Sequence, residues 1–199
     1  MNRQLVLATH NKDKAREFTD LLRDIRIEVL TLDMYPGIGP VIEDADTLEG
    51  NALKKAGEVL RGTGLPSLAD DTGLEVHYLN DAPGVFSSRY AGEGATYADN
   101  CRKLLRAMQG VPPRRRAARF RCVLAFTAPG GDVKIAEGVA CGTITEEPRG
   151  ANGFGYDPVF LPDGYRQTFA EMPLSLKNSL SHRAKALEFM KGILHEFFH

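Results

Sequence analysis

The sequence predicts an α/β protein, and three patterns carry that prediction. An apolar run at residues 4–8 passes through a polar stretch into a helical stripe of Phe18, Leu21, Leu22 and Ile25. That strand–loop–helix opening is the start of an α/β unit. Further helix patterns then alternate with short apolar runs. Late in the chain, Phe120, Cys122, Leu124 and Phe126 alternate strictly, as a strand with one buried face requires.

The elements follow in order. Residues 4–8 read as a buried strand, residues 9–14 as a polar loop and residues 27–30 as a second strand. Prolines and glycines make residues 35–40 a turn region. A helix is expected from Asp46 or Thr47, with Leu48, Ala52, Ala56, Val59 and Leu60 inward and Gly62 and Gly64 at its end. Asp46 and Glu49 have the spacing of a capping box. Leu68-Ala69-Asp70-Asp71-Thr72-Gly73-Leu74-Glu75-Val76 reads as a buried strand, a turn carrying both acids, and a second strand with Leu74, Val76 and Tyr78 on one face. Residues 82–94 form an irregular loop. Thr96 and Asp99 cap a helix that buries Tyr97, Cys101, Leu104, Leu105 and Met108 and stops at Gly110. After the alternating strand, Pro129-Gly130-Gly131-Asp132 turns the chain into an antiparallel return over residues 133–145. Residues 158–161 form another short strand. A last helix, with Ser181 as its expected cap, presents Leu187, Met190, Leu194 and Phe197 on one face.

Composition narrows the function classes. The 199 residues are 43% hydrophobic and 26% charged, which suits a single domain over residues 1–199, or two lobes sharing one core. A formal net charge of -1 gives no global drive toward nucleic acid or membrane. The apolar runs are too short to span a bilayer, and Met1-Asn2-Arg3-Gln4 lacks the apolar core of a signal peptide. Cys101, Cys122 and Cys141 form no CxxC pair, so the expectation is a cytoplasmic protein with small buried thiols and neither zinc nor disulfides. Arg114-Arg115-Arg116 reads as a solvated loop, because it lacks the aromatic interleaving of a nucleic-acid patch.

Four constellations carry chemistry. Thr9, His10, Asn11, Lys12, Asp13 and Lys14 lie where a strand enters a helix, and helix-start N–H groups with a lysine attract anions. The stretch is not a P-loop, since it lacks GxxxxGK[ST]. Glu43, Asp44, Asp46, Glu49, Asp70 and Asp71 form an acidic set suited to magnesium, which takes one or two carboxylates and fills its other positions from water and phosphate. Asp70 alone would satisfy a turn, so Asp71 is the acid left over for chemistry. Phe154, Gly155, Tyr156 and Asp157 lie in a glycine-rich stretch that leaves an aromatic ring open for stacking, with an acid beside it. Lys177, His182 and Arg183 collect cations near a helix start, where the dipole favours anions. Ser87-Ser88-Arg89-Tyr90 offers one further cation.

In order and over nearly the whole chain, these segments resemble the inosine/xanthosine triphosphate pyrophosphatase family. Ala8-Thr9-His10-Asn11-Lys12-Asp13-Lys14 is similar to its TxNxxK phosphate motif, with His10 where the family usually has glycine. Thr47-Leu48-Glu49-Gly50-Asn51-Ala52 with Lys55-Ala56 resembles its second motif. Ala69-Asp70-Asp71-Thr72-Gly73-Leu74 is similar to its acidic signature, with Thr72 for the commoner serine. Ala82-Pro83-Gly84-Val85-Phe86-Ser87-Ser88-Arg89-Tyr90 resembles the loop after it. Gly153-Phe154-Gly155-Tyr156-Asp157-Pro158 resembles its base-binding motif, and Lys177 with Ser181-His182-Arg183 its closing motif.

The resemblance implies an elongated two-lobed fold, with a long central mixed sheet flanked by helices and a cleft between the lobes, in a homodimer. It implies Mg2+-dependent hydrolysis of ITP, dITP and XTP to the monophosphate and pyrophosphate. By position, Thr9 to Lys14 and Lys177 bind the phosphates, Thr72 is a further substrate-binding residue, and Glu43, Asp71 and Asp70 hold magnesium. Asp71 is also the general base. Phe154, Gly155 and Tyr156 form the base platform, and Asp157, His182 and Arg183 read the purine edge. A pyrimidine-preferring pyrophosphatase and a non-hydrolytic nucleotide-binding module are the rival readings.

Overall fold

The computed structural model describes residues 3–199, so the reading of Met1 and Asn2 lies outside the described residues. The strands are β1 (Gln4–Leu7), β2 (Glu28–Thr31), β3 (Ser67–Val76), β4 (Pro83–Gly84), β5 (Ala117–Thr127), β6 (Val133–Ile144) and β7 (Phe160–Pro162). The helices are α1 (Lys12–Leu21), α2 (Leu48–Thr63), α3 (Tyr97–Ala107), α4 (Leu174–Leu180) and α5 (His182–Phe198). The strands form one mixed sheet in the order β2-β1-β3-β5-β6-β7, with β4 paired to β3. β1 runs parallel to β2 and to β3, pairing Gln4 with Glu28 and Val6 with Ser67. Parallel neighbours need a crossover, and α1 and α2 supply it. β4 and β7 pair antiparallel with β3 and β6. The expected α/β class and its central mixed sheet with flanking helices are therefore present.

The chain divides into two compact units. Unit 1 comprises residues 1–71, 122–138 and 183–199; unit 2 comprises residues 72–121 and 139–182. Each has its own apolar core. In unit 1, Leu5 and Leu7 of β1 and Phe18 and Leu22 pack with Phe126 of β5 and with Leu187, Met190 and Leu194 of α5. In unit 2, Leu74 and Val76 of β3 pack with Leu104 and Met108, Phe120, Phe160 and Phe169. The stripes of α1, α3 and α5 read from the sequence thus face these cores, Tyr97 apart. Burying one such Leu or Phe side chain is worth about 1.5–3 kcal/mol.

Several local expectations are corrected. β3 runs unbroken through Asp70, Asp71 and Gly73, with no turn at the acids. A strand buried along almost its whole length can carry two acids because cations meet both of them, which a residue-by-residue turn preference does not register. The strand ends at Val76, and residues 77–79 form a 3-10 turn that leaves Tyr78 exposed. α1 starts at Lys12, so Lys12, Asp13 and Lys14 are helical rather than loop. Thr47 caps α2 by accepting from the Gly50 N–H at 3.0 Å, in place of an Asp46 box. Thr96 and Asp99 do form the expected capping box, but Tyr97, at the first position of α3, is exposed. Arg116 is buried, donating to the carbonyls of Met108, Val111, Ile144 and Thr145. Cys101 and Cys122 are buried thiols, whereas Cys141 is exposed. The short helix α4 has no clear stripe in the sequence; Ser181, extended, closes it and also stands directly before α5, at the position expected of that helix's cap.

Candidate active site

In unit 1 the strand period separates the two adjacent acids, because neighbouring residues of a strand face opposite sides of its sheet. Asp70 faces Lys14, 2.9 Å away, and Arg183, 3.4 Å away. Arg183 also pairs with Glu17, one helical turn beyond Lys14 on α1. Asp71 instead meets α2. Its Oδ1 lies 3.3 Å from the Lys55 ammonium, and its Oδ2 accepts from the Asn51 amide at 3.1 Å. The same Lys55 ammonium is 2.5 Å from Glu43.

The two acids end in opposite electrostatic states. Burial penalises the charged form of Asp70, but Lys14, Arg183 and Lys55 overcome it and hold the carboxyl well below the usual carboxylate range. Burial also dominates at Asp71. Lys55 and Lys14 pull the other way, the nearby Glu43 reinforces the burial, and the Asp71 carboxyl ends above its ordinary value. Burial lowers Lys55, yet Asp71, Asp70 and Glu43 together raise it, so the lysine keeps its charge. Asp70 is therefore a fixed anion, and Asp71 is the acid held closer to protonation.

Thr9 and Asn11 build the start of α1. Thr9 Oγ1 accepts from the Asn11 N–H at 3.2 Å, and Asn11 Oδ1 accepts from the N–H groups of Asp13 and Lys14 at 3.0 and 3.2 Å. His10, Lys12 and Asp13 are exposed, and Lys14 turns inward to Asp70.

The donor set accommodates magnesium. Glu43 and Asp71 converge on one ammonium, so two carboxylates already share the charge of a single cation, and two are what magnesium takes alongside water and phosphate. Asp70 is committed to Lys14 and Arg183. Among the described residues, no three His, Cys, Asp or Glu side chains gather to hold a metal by themselves.

Unit 2 assembles the aromatic constellation. Asp157 Oδ2 accepts from the Phe154 N–H at 2.9 Å and pairs with Lys177 at 2.5 Å. This pulls the stretch into a tight turn. Gly153 is required inside it: its φ is +71°, and a Cβ there would sit 2.0 Å from Asp157 Oδ2. The Lys177 ammonium lies 4.8 Å from the centre of the half-buried Phe154 ring, and the Tyr97 ring is 5.9 Å from it at 42°. Cys101 Sγ donates to the Gly155 carbonyl, and burial, helped by Asp157, pushes this thiol up to about 11. The buried Tyr156 hydroxyl donates to the Ser87 carbonyl at 2.9 Å. His182 is buried and stacks on Phe120, with centroids 4.5 Å apart. Thr72 is half-buried in β3. Arg89 sits over the exposed Phe86 ring.

The structure thus gathers Lys14, Glu43, Asp70, Asp71 and Arg183 in unit 1, and Phe154, Asp157 and Lys177 in unit 2. Within unit 1, Arg183 pairs with Glu17 and Asp70. The roles read from the sequence left out Lys55, Asn51 and Glu17. A signal for the first two was present: Leu48, Asn51, Ala52, Lys55, Ala56 and Val59 form one buried stripe of α2, and its two polar members are four residues apart. A polar pair inside an apolar stripe needs buried partners.

A strand-borne acid pair answered by helix-borne cations, within this mixed sheet, defines a recognisable α/β class, and comparison with known proteins specifies it. The model of the Ham1 family matches residues 5–193. A dITP/XTP pyrophosphatase of Desulforamulus reducens is 47% identical over 98% of this chain and 97% of its own. The solved HAM1 protein of Coxiella burnetii superposes with a TM-score of 0.86 at 42% identity, covering 97% of this chain and 98% of that one. The Staphylococcus aureus Ham1 structure gives 0.85 at 32% identity, with the same coverage. The chain belongs to the Ham1 family.

Proposed function

We propose that this protein is a metal-dependent pyrophosphatase that converts dITP, XTP and ITP to the nucleoside monophosphate and pyrophosphate, acting in the cytoplasm as a homodimer. One observation carries the reading. Asp71, whose carboxyl is held above its ordinary value, shares the Lys55 ammonium with Glu43, in a chain whose near-full-length relative at 47% identity is a dITP/XTP pyrophosphatase.

A triphosphate brings several negative charges. The segment from Thr9 to Lys14 at the start of α1 receives them through the lysines Lys12 and Lys14. Glu43 and Asp71 would hold magnesium, with Asp70 as the charged neighbour that keeps Lys14 in place. When bound, the metal neutralises phosphate charge and polarises the phosphorus–oxygen bonds. Asp71 accepts the proton of the attacking water; the buried environment that raises its carboxyl makes it a better acceptor than an exposed aspartate. Lys55 keeps Asp71 ionised for that task.

The purine stacks on Phe154 in the loop of Gly155 and Tyr156, and Asp157 accepts from a ring N–H. His182 donates to a keto group at the six position, while Arg183 stays paired with Asp70 and Glu17. An adenine amino group would leave that donor unpaired, at about 1–3 kcal/mol when buried. A turnover panel with magnesium tests the reading. Pyrophosphate release from dITP, ITP and XTP should exceed that from dATP, dUTP and dTTP by about tenfold or more. Preference for the pyrimidine nucleotides, or binding without release, overturns it.

A further inference from the structure

The segment that carries Glu43 has no regular secondary structure of its own from residue 41 to 45, yet its acid must be held beside an acid of β3. Three side chains of α2 fasten it. Lys54 pairs with Asp44 at 2.7 Å and Lys55 with Glu43 at 2.5 Å. The third, Asn51, is fully buried and reaches in two directions. Its Oδ1 accepts from the Ala45 N–H at 3.0 Å, and its Nδ2 donates to Asp71 Oδ2 at 3.1 Å. The amide can serve both partners in only one orientation, because an N–H needs the oxygen and a carboxylate needs the NH2. Its neighbour Gly50 lets the segment come close: a Cβ there would lie 2.8 Å from the Ala45 Cβ and 3.1 Å from Thr47 Oγ1.

From this arrangement we infer that Asn51 is a positioning residue, whose amide ties the backbone of the Glu43 segment to the Asp71 carboxylate and so fixes the two acids relative to each other. The inference rests on the reading of Asp71 and Glu43 given above. Lys55 faces Oδ1 of Asp71 while Asn51 holds Oδ2, so together they set the plane of the carboxylate. Lys54 is partly exposed at its ion pair, and such a contact holds a loop weakly. The buried amide is the firm anchor. Gly50 is part of the same device, since it supplies the space into which Ala45 is drawn.

Three variants test this. Asn51→Leu removes both bonds at similar volume. Asn51→Asp keeps the acceptor for Ala45 and removes the donor to Asp71. Gly50→Ala leaves the amide intact and displaces Ala45. Each is measured for kcat and KM on dITP, for Mn2+ binding to the nucleotide-free protein by calorimetry, and for hydrogen exchange at the Ala45 amide by NMR. For Asn51→Leu, kcat should fall about 100-fold with KM changed less than about threefold, since a small displacement at the reacting groups has that cost. Its Mn2+ affinity should weaken, and its Ala45 exchange should accelerate about tenfold. Asn51→Asp should lose kcat while keeping Ala45 protected. Gly50→Ala should accelerate Ala45 exchange and lower kcat with Asn51 unchanged. Near-native kcat in a folded Asn51→Leu protein, or unchanged Ala45 exchange in both Asn51→Leu and Gly50→Ala, overturns the inference. If Asn51→Leu does not fold, the opposite signatures expected of the other two decide it. Inactivity of the unmodified protein on every nucleotide of the panel counts against the functional reading, whereas the exchange and Mn2+ measurements judge the tie itself.

Discussion

Asp70 and Asp71 are neighbours on one strand of unit 1, and the Asp157–Lys177 pair is the buried ion pair of the aromatic group in unit 2. The three acids illustrate three uses of a buried carboxylate. Asp157 pairs with one lysine and accepts from the Phe154 N–H through the same oxygen, which shapes the loop that carries the ring. Asp70 meets two cations and stays charged. Asp71 shares one lysine with a second acid and is left above its ordinary value. Where cations match the acid, as at Asp70, the carboxylate stays charged; where two acids share one cation, as at Asp71, the carboxyl is held above its ordinary value. Under the function proposed above, unit 1 supplies the charged groups and unit 2 an aromatic face.

Substitutions can break that comparison. The largest effect is expected from Asp71→Asn, which should lower pyrophosphate release about 10³-fold by removing the proton acceptor. Its thermal stability should stay level or rise slightly. A carboxyl raised in the folded state stabilises only at low pH, and that contribution is lost as pH rises through the folded value, so none remains at neutral pH. Near-native turnover in this variant would remove Asp71 from the reaction.

Asp70→Asn should show the reverse emphasis. Removing it leaves Arg183 and Lys14 short of a partner, at about 3–5 kcal/mol for a broken buried pair. A carboxyl depressed on folding stabilises fully above the unfolded value and loses that stabilisation as pH falls through the folded one. The gap between the unmodified protein and Asp70→Asn in denaturant melts should therefore hold from pH 7 to about 4 and close only below it. A gap that is absent at pH 7 would place Asp70 with Asp71 rather than apart from it.

The smallest effect is expected in unit 2. Phe154→Ala removes a stacking face worth about 1–3 kcal/mol, so KM for dITP should rise about tenfold with kcat little changed. A loss confined to kcat would show that the ring positions reacting groups rather than binding the base.

Much of this was legible beforehand. The buried stripes of α1, α2, α3 and α5 are local periodicities, and the Thr96–Asp99 box is a four-residue signal, so they can be read without knowing what they pack against. The motifs of the acidic strand and of the Phe154 loop are contiguous, and they marked Asp71, Phe154 and Asp157 at once. Where reading stopped at single-residue preference it went astray: two acids and a glycine suggested a turn in what is a continuous strand, and Arg116, in a run of three arginines, is buried against carbonyls.

What the sequence determined by itself was the α/β class and the face each long helix buries, because these depend on spacing within one element. What only the tertiary structure decided was how the charges divide. Asp71 is paired across 16 residues with Lys55, and Asp70 across 113 with Arg183. Whether a carboxylate is a fixed anion or an acid close to protonation depends on burial and on cations brought from elsewhere in the chain, and those distances exist only after folding.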